Sequence, residues 1–142
     1  MNREAIYSAV YARLQTVAGF NTVSRRVRHW VDVSFPEMPY VAMIQRREEP
    51  DGTRKGMPLR WILHVDFYIY THSADPKSSP SVILNPMLDS VCAAYSGDVP
   101  SNTILLGGVA HHCRISGSIE TDEGTLGDIA VAIVPLIIVT PD

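Results

Sequence analysis

Leu59, Trp61, Leu63, Val65, Phe67 and Ile69 take every second position across residues 59–70, the period-two alternation of a β-strand that buries one face. Tyr68 and Tyr70 fall on the opposite face of that strand, where aromatic residues with a polar tip are enriched when a partner packs against them. Twelve residues in a strand reach ~40 Å, about twice the common length. A chain of 142 residues folds to a radius of gyration near ~14 Å, so the strand either bends sharply or carries a hairpin beyond the body.

The partner of this strand precedes it. Residues 40–47 form a second strand, and between the two the sequence places Arg46, Arg47, Glu48, Glu49, Asp51, Arg54 and Lys55, seven of its 27 formal charges within ten residues. Pro50 and an Asp51-Gly52 turn sit in the middle of this cluster, so it is predicted to be the exposed tip of a long β-hairpin. Mixed signs suit docking against another protein better than holding one phosphate or one metal. Glu48, Glu49, Arg54 and Lys55 are the first choices for salt-dependent pairing, with Arg46 and Arg47 beside them.

The remaining elements follow from shorter signals. Asn2 caps a predicted helix with Glu4 in its first turn and Ile6, Val10, Leu14 and Val17 on one stripe, flanked by Tyr7 and Tyr11, until Gly19 stops it. Residues 22–28 alternate as a half-buried strand, with Val23, Arg25 and Val27 on one face. A second helix is expected with Asn85 as cap and Pro86 at its first position, burying Leu88, Val91, Cys92 and Tyr95. Gly107-Gly108 opens a strand over residues 109–120, residues 121–127 turn the chain, and residues 128–139 form a last strand apolar on both faces. Pro135 conflicts with a central place there, because it cannot donate to a ladder; a free edge covered by a neighbouring subunit would resolve the conflict. The sum is one α+β domain over residues 1–142, with a mainly antiparallel sheet of four to five strands, two helices on one face and a projecting hairpin.

Composition removes several function classes. A net charge of −3 and a pI near 5.9 oppose a nucleic-acid module, which needs clustered Lys and Arg. Arg25, Arg26 and Arg28 are split between two strand faces. The longest apolar run, residues 129–139, falls short of a membrane helix and contains Pro135. The first residues lack the basic start and solid apolar stretch of a signal peptide. Cys92 and Cys113 show no metal-type spacing, so reduced intracellular thiols are expected.

Three clusters could carry chemistry. His111 and Cys113 share a strand face beside His112, but a stable zinc site needs three or four ligands and no other His or Cys lies at a matching spacing. His64 and Asp66 share a face like an imidazole and its orienting carboxylate, without a nucleophile motif nearby. Glu120, Asp122, Glu123 and Asp128 crowd the last hairpin without the spacing of a calcium loop, leaving only a weak cation site at a subunit boundary as a functional version. No enzyme activity and no cofactor is expected.

The segments Met1-Asn2-Arg3-Glu4-Ala5-Ile6-Tyr7, Val23-Ser24-Arg25-Arg26, Leu84-Asn85-Pro86-Met87-Leu88-Asp89, Glu120-Thr121-Asp122-Glu123-Gly124 and Leu126-Gly127-Asp128 together resemble the tail terminator family of long-tailed bacteriophages and prophages. The resemblance spans nearly the whole chain as a pattern of order and length, and none of its motifs has catalytic meaning. It implies a structural virion protein that assembles as a hexameric ring on the head-proximal end of the tail tube. There it ends tube polymerisation and offers a surface for head-tail joining. The implied partners are copies of itself, the tail tube protein and a head-tail connector; it would reside in the host cytoplasm during assembly and in the virion afterwards. Residues 46–55 would then lie at a subunit or tube contact, with Tyr68, Tyr70 and Pro135 as further contact candidates. The alternatives are another neck or head-completion connector of similar size, and a small metal-dependent hydrolase using His111, His112 and Cys113.

Overall fold

The protein is described here by a computed structural model covering residues 1–52, 56, 59–96 and 106–141. Its elements are helix α1 (Arg3–Gln15), strands β1 (Thr22–Ser24), β2 (Tyr40–Pro50) and β3 (Trp61–His72), helix α2 (Ser81–Ala94), and strands β4 (His112–Ile115), β5 (Glu120–Leu126) and β6 (Ile129–Val139). They build one six-stranded sheet in the order β1-β2-β3-β6-β4, with β5 also paired to β6. All pairings are antiparallel except β1 with β2. The fold is α+β, with one strand more than the upper count expected.

The alternation that opened the sequence is the core of the molecule. Leu63, Val65, Phe67 and Ile69 of β3 are fully buried together with Val41 and Met43 of β2 and Ala130, Ala132, Val134, Leu136 and Ile138 of β6. Both helices cover this face, α1 through Ile6, Tyr7, Val10 and Leu14, and α2 through Leu84 and Val91. Asn2 caps α1 by accepting from the Ala5 N–H, as its side chain predicts. The two helices are locked where the buried Tyr95 hydroxyl donates to the Val10 carbonyl at 2.6 Å and Arg13 donates to the Ala94 carbonyl.

Several boundaries move for physical reasons. β2 continues to Pro50 and β3 begins at Trp61, leaving Leu59 exposed; β6 accompanies β3 from Ile62↔Val139 to His72↔Ile129. The sheet therefore backs the hairpin up to its last rung, Pro50↔Trp61. β1 is only three residues long: residues 25–38 leave the sheet plane and fold over its second face as a strap, because the Tyr40 and Tyr70 hydroxyls capture the Arg26 and Arg28 carbonyls at 2.8 and 2.7 Å. Helix α2 starts a full turn before Pro86, which lies inside it. Gly107 and Gly108 belong to a 3-10 turn rather than a strand start, and residues 121–127, expected as a turn, are mostly β5.

Pro135 is corrected most. It is not on a free edge: β3 pairs with one side of β6, and β4 and β5 share the other. The Ser116 N–H donates to the Pro135 carbonyl at 3.1 Å, so the proline's backbone polar side faces the crossover from β4 to β5, between the rungs Ile115↔Leu136 and Glu120↔Ile133. The missing N–H falls where the ladder is interrupted, and nothing is lost. Gly117 makes the crossover possible: at φ +114 an added Cβ would stand 3.2 Å from the proline ring.

Candidate interaction surface

The second face of the sheet is divided. At the end where β2 begins, the strap buries Tyr40, Ala42, Tyr70 and Ile129 beneath Val33 and Met38. Arg28 lies over the Tyr40 ring and binds Glu37 at 2.9 Å, and Phe35 stacks on His72 with ring centroids 4.4 Å apart. Tyr70, read from the sequence as a partner-facing aromatic, is 3% exposed and covered by this chain's own strap. Burial pushes its hydroxyl up to about 12. Tyr68 is half-buried at the margin of the same cluster.

The other half of this face carries no covering segment among the described residues. It holds a groove of about 410 Å3 lined by Arg46, Arg47, His64, Asp66, Pro135 and Ile137, with Ser116 at its side. The groove follows the register. Arg46 and Arg47 form the bulge between Gln45↔Val65 and Glu48↔Leu63, so they stand opposite His64. His64 pairs with Ile137, and Ile137 with Arg114, so these side chains share one face across four strands. Pro135 and Ile137 give an apolar floor, and charged groups form the walls.

The charged cluster sorts by face in a way the sequence hides. Glu48 turns toward α1, accepting from Arg3 at 2.8 Å and from the Tyr7 hydroxyl at 2.9 Å, and the Arg3 guanidinium holds its carboxyl below the usual range. Glu49 turns to the opposite face and contacts His64 at 2.8 Å, which lowers its carboxyl pKa. Asp66 is taken by Arg46 at 2.9 Å. Glu48, Glu49 and Asp66 are thus engaged within the molecule, whereas Arg47 and the exposed Arg114 make no ion pair among the described residues. Arg54 and Lys55 lie outside the described residues.

The chemical candidates disperse. Cys113 is buried in the core and burial raises its thiol to about 12, while His111 is exposed and His112 lies on the groove face beside Val139. His64 and Asp66 share a face but each is bound to a different partner. Glu123 accepts from the Ser81 hydroxyl at the start of α2. No three His, Cys, Asp or Glu residues converge as metal ligands among the described residues, both cysteines are free, and no helix there is long and apolar enough to cross a membrane.

No protein-family model and no curated protein matches this sequence.

Arg114, beside the groove residue Ile137, is the charged residue of this face that sequence reasoning passed over. Its parity with His112 placed both on one face, but only the pairing of β4 with β6 puts that face beside the β2 bulge.

Proposed function

We propose that this chain is a structural subunit of a ring that caps the head-proximal end of a bacteriophage tail tube, halting tube growth and presenting a docking surface for the head. The resemblance of residues 1–7, 23–26, 84–89 and 120–128 to the tail terminator family supports the reading. The observation that carries it furthest in the fold is the half-covered second face: a groove with an apolar floor and an Arg47 that makes no ion pair among the described residues, at the end of the sheet where the charged hairpin lies. Such a surface fits a protein partner, in which a desolvated centre gives affinity and rim charges give orientation. Capping is geometric: heterologous contacts close into a ring once the rotation fits, and the closed ring no longer offers a tube subunit its next docking surface.

Imaging particles assembled without the protein tests this. Overlong tails are expected if it ends tube growth. Tails of normal length without heads would reassign it to a head-joining connector, and normal particles would overturn a role in the neck.

A further inference from the structure

The C-terminal part of this chain is acidic throughout. Residues 115–142 contain five acidic residues, Glu120, Asp122, Glu123, Asp128 and Asp142, and no Lys or Arg, although the chain has 12 basic residues in all. Four of the five sit on or at the turn of the β5–β6 hairpin, and none of these four forms an ion pair among the described residues. The arginine-walled groove belongs to the rungs around His64↔Ile137, whereas the hairpin turn lies beyond His72↔Ile129. Eight rungs of a strand separate them, about 26 Å. Moreover β5 is held in register against its own β6, so the acidic hairpin cannot fold back into the groove of its own molecule.

We infer that the groove between β2 and β4 receives the acidic β5–β6 hairpin of a second copy of this chain, in a head-to-tail contact. Arg47 on the groove wall and Arg114, beside the groove residue Ile137 on the same face, are three strand spacings apart across β2, β3, β6 and β4, about 14 Å. That width admits a two-stranded ribbon. The exposed Glu123 and Asp128 carboxylates at the ribbon's end would meet Arg47 and Arg114, which make no ion pair among the described residues. Strand β2 of the groove and strand β5 of the hairpin are poor templates for edge pairing, since β2 carries a bulge, adjacent arginines and Pro50, and β5 carries its own bulge before Leu126. The contact is therefore made by side chains in the groove rather than by an added strand. Its two surfaces differ, so it propagates and can close into a ring. The inference deepens the proposed ring function and rests on it for self-association, but it fixes which surfaces meet.

The test uses two charge reversals on the full chain, each at an exposed site. One variant carries Arg47→Glu and Arg114→Glu on the groove face; the other carries Glu123→Lys and Asp128→Lys on the hairpin. Circular dichroism and thermal melting verify that both fold. In sedimentation at low salt the wild type should self-associate, and each variant alone should do so at least tenfold more weakly. Mixed in equal amounts, the two variants should associate again into alternating species larger than dimers, because the arginines of one groove meet the acidic hairpin and the glutamates of the other groove meet the lysine-bearing hairpin. A chain carrying all four reversals should recover association. Variants that associate like the wild type, a mixture that stays monomeric, or a wild type that remains monomeric at about millimolar concentration would each overturn this docking mode. Tail length in particles made without the protein judges the capping function separately, so the two failures are distinguishable.

Discussion

Single side chains decide how the second sheet face is covered. The strap over residues 25–38 is fastened by two tyrosine hydroxyls on carbonyls and by one carboxylate: Glu37 accepts from Arg28, from the Ser34 N–H at 2.8 Å and from the Ser34 hydroxyl. The Arg28 guanidinium and the Ser34 donors hold the Glu37 carboxyl at about 2, well below its ordinary 4.5. A carboxyl depressed in the folded state stabilises the fold above its unfolded pKa and loses that contribution as pH falls through the folded one. Glu37→Gln is therefore expected to melt below the wild type at neutral pH, with the gap closing between pH 4.5 and 2. A gap that stays constant in melts at pH 7, 4 and 2 would show that the ionised carboxylate does not fasten the strap. The same scale explains why the sequence misjudged Tyr70: its parity on β3 was right, but its hydroxyl partner, the Arg28 carbonyl, lies 42 residues away in the chain.

At the scale of elements, local signals were overruled wherever burial competed with them. Asn85-Pro86 has the form of a helix start, yet α2 begins at Ser81 because the extra turn delivers Leu84, 1% exposed, into the core beside Val91. Burying a leucine outweighs the hydrogen bond that Pro86 cannot donate. Leu84→Ala should then cost about 2–5 kcal/mol in denaturant unfolding; a change within about 0.5 kcal/mol, as for a surface position, would take Leu84 out of the core. Pro135 gives the converse case, a strand breaker tolerated inside a sheet because its donorless side faces the β4-to-β5 crossover. Since β6 is flanked on both sides, its amides from Val131 to Ile138 should exchange slowly in the isolated subunit as well as in any assembly. Fast exchange in the subunit that becomes slow on assembly would restore the free edge that the proline suggests.

On the scale of the whole molecule, function is expected from what the fold leaves uncovered. One face of the sheet is closed by two helices and half of the other by the strap, so the remaining half face and the two charged hairpins at opposite ends are what a partner meets. The sequence determined the α+β class, the buried stripe of β3, the amphipathic α1 with its Asn2 cap, and the existence of the β2–β3 hairpin, because each depends on periodicity or capping within a few neighbouring residues. The acidity of the C-terminal part was also countable there, in the absence of any Lys or Arg after Arg114. Only the tertiary structure decided that Glu48 and Glu49 face opposite sides and find separate partners, that Tyr70 is covered, that Pro135 is flanked, and that Arg47 and Arg114 share the open half of one sheet face. Those facts rest on register between strands far apart in the chain and on a bulge that turns two consecutive side chains outward; register is set by the packing of the whole sheet, which no local stretch of sequence contains.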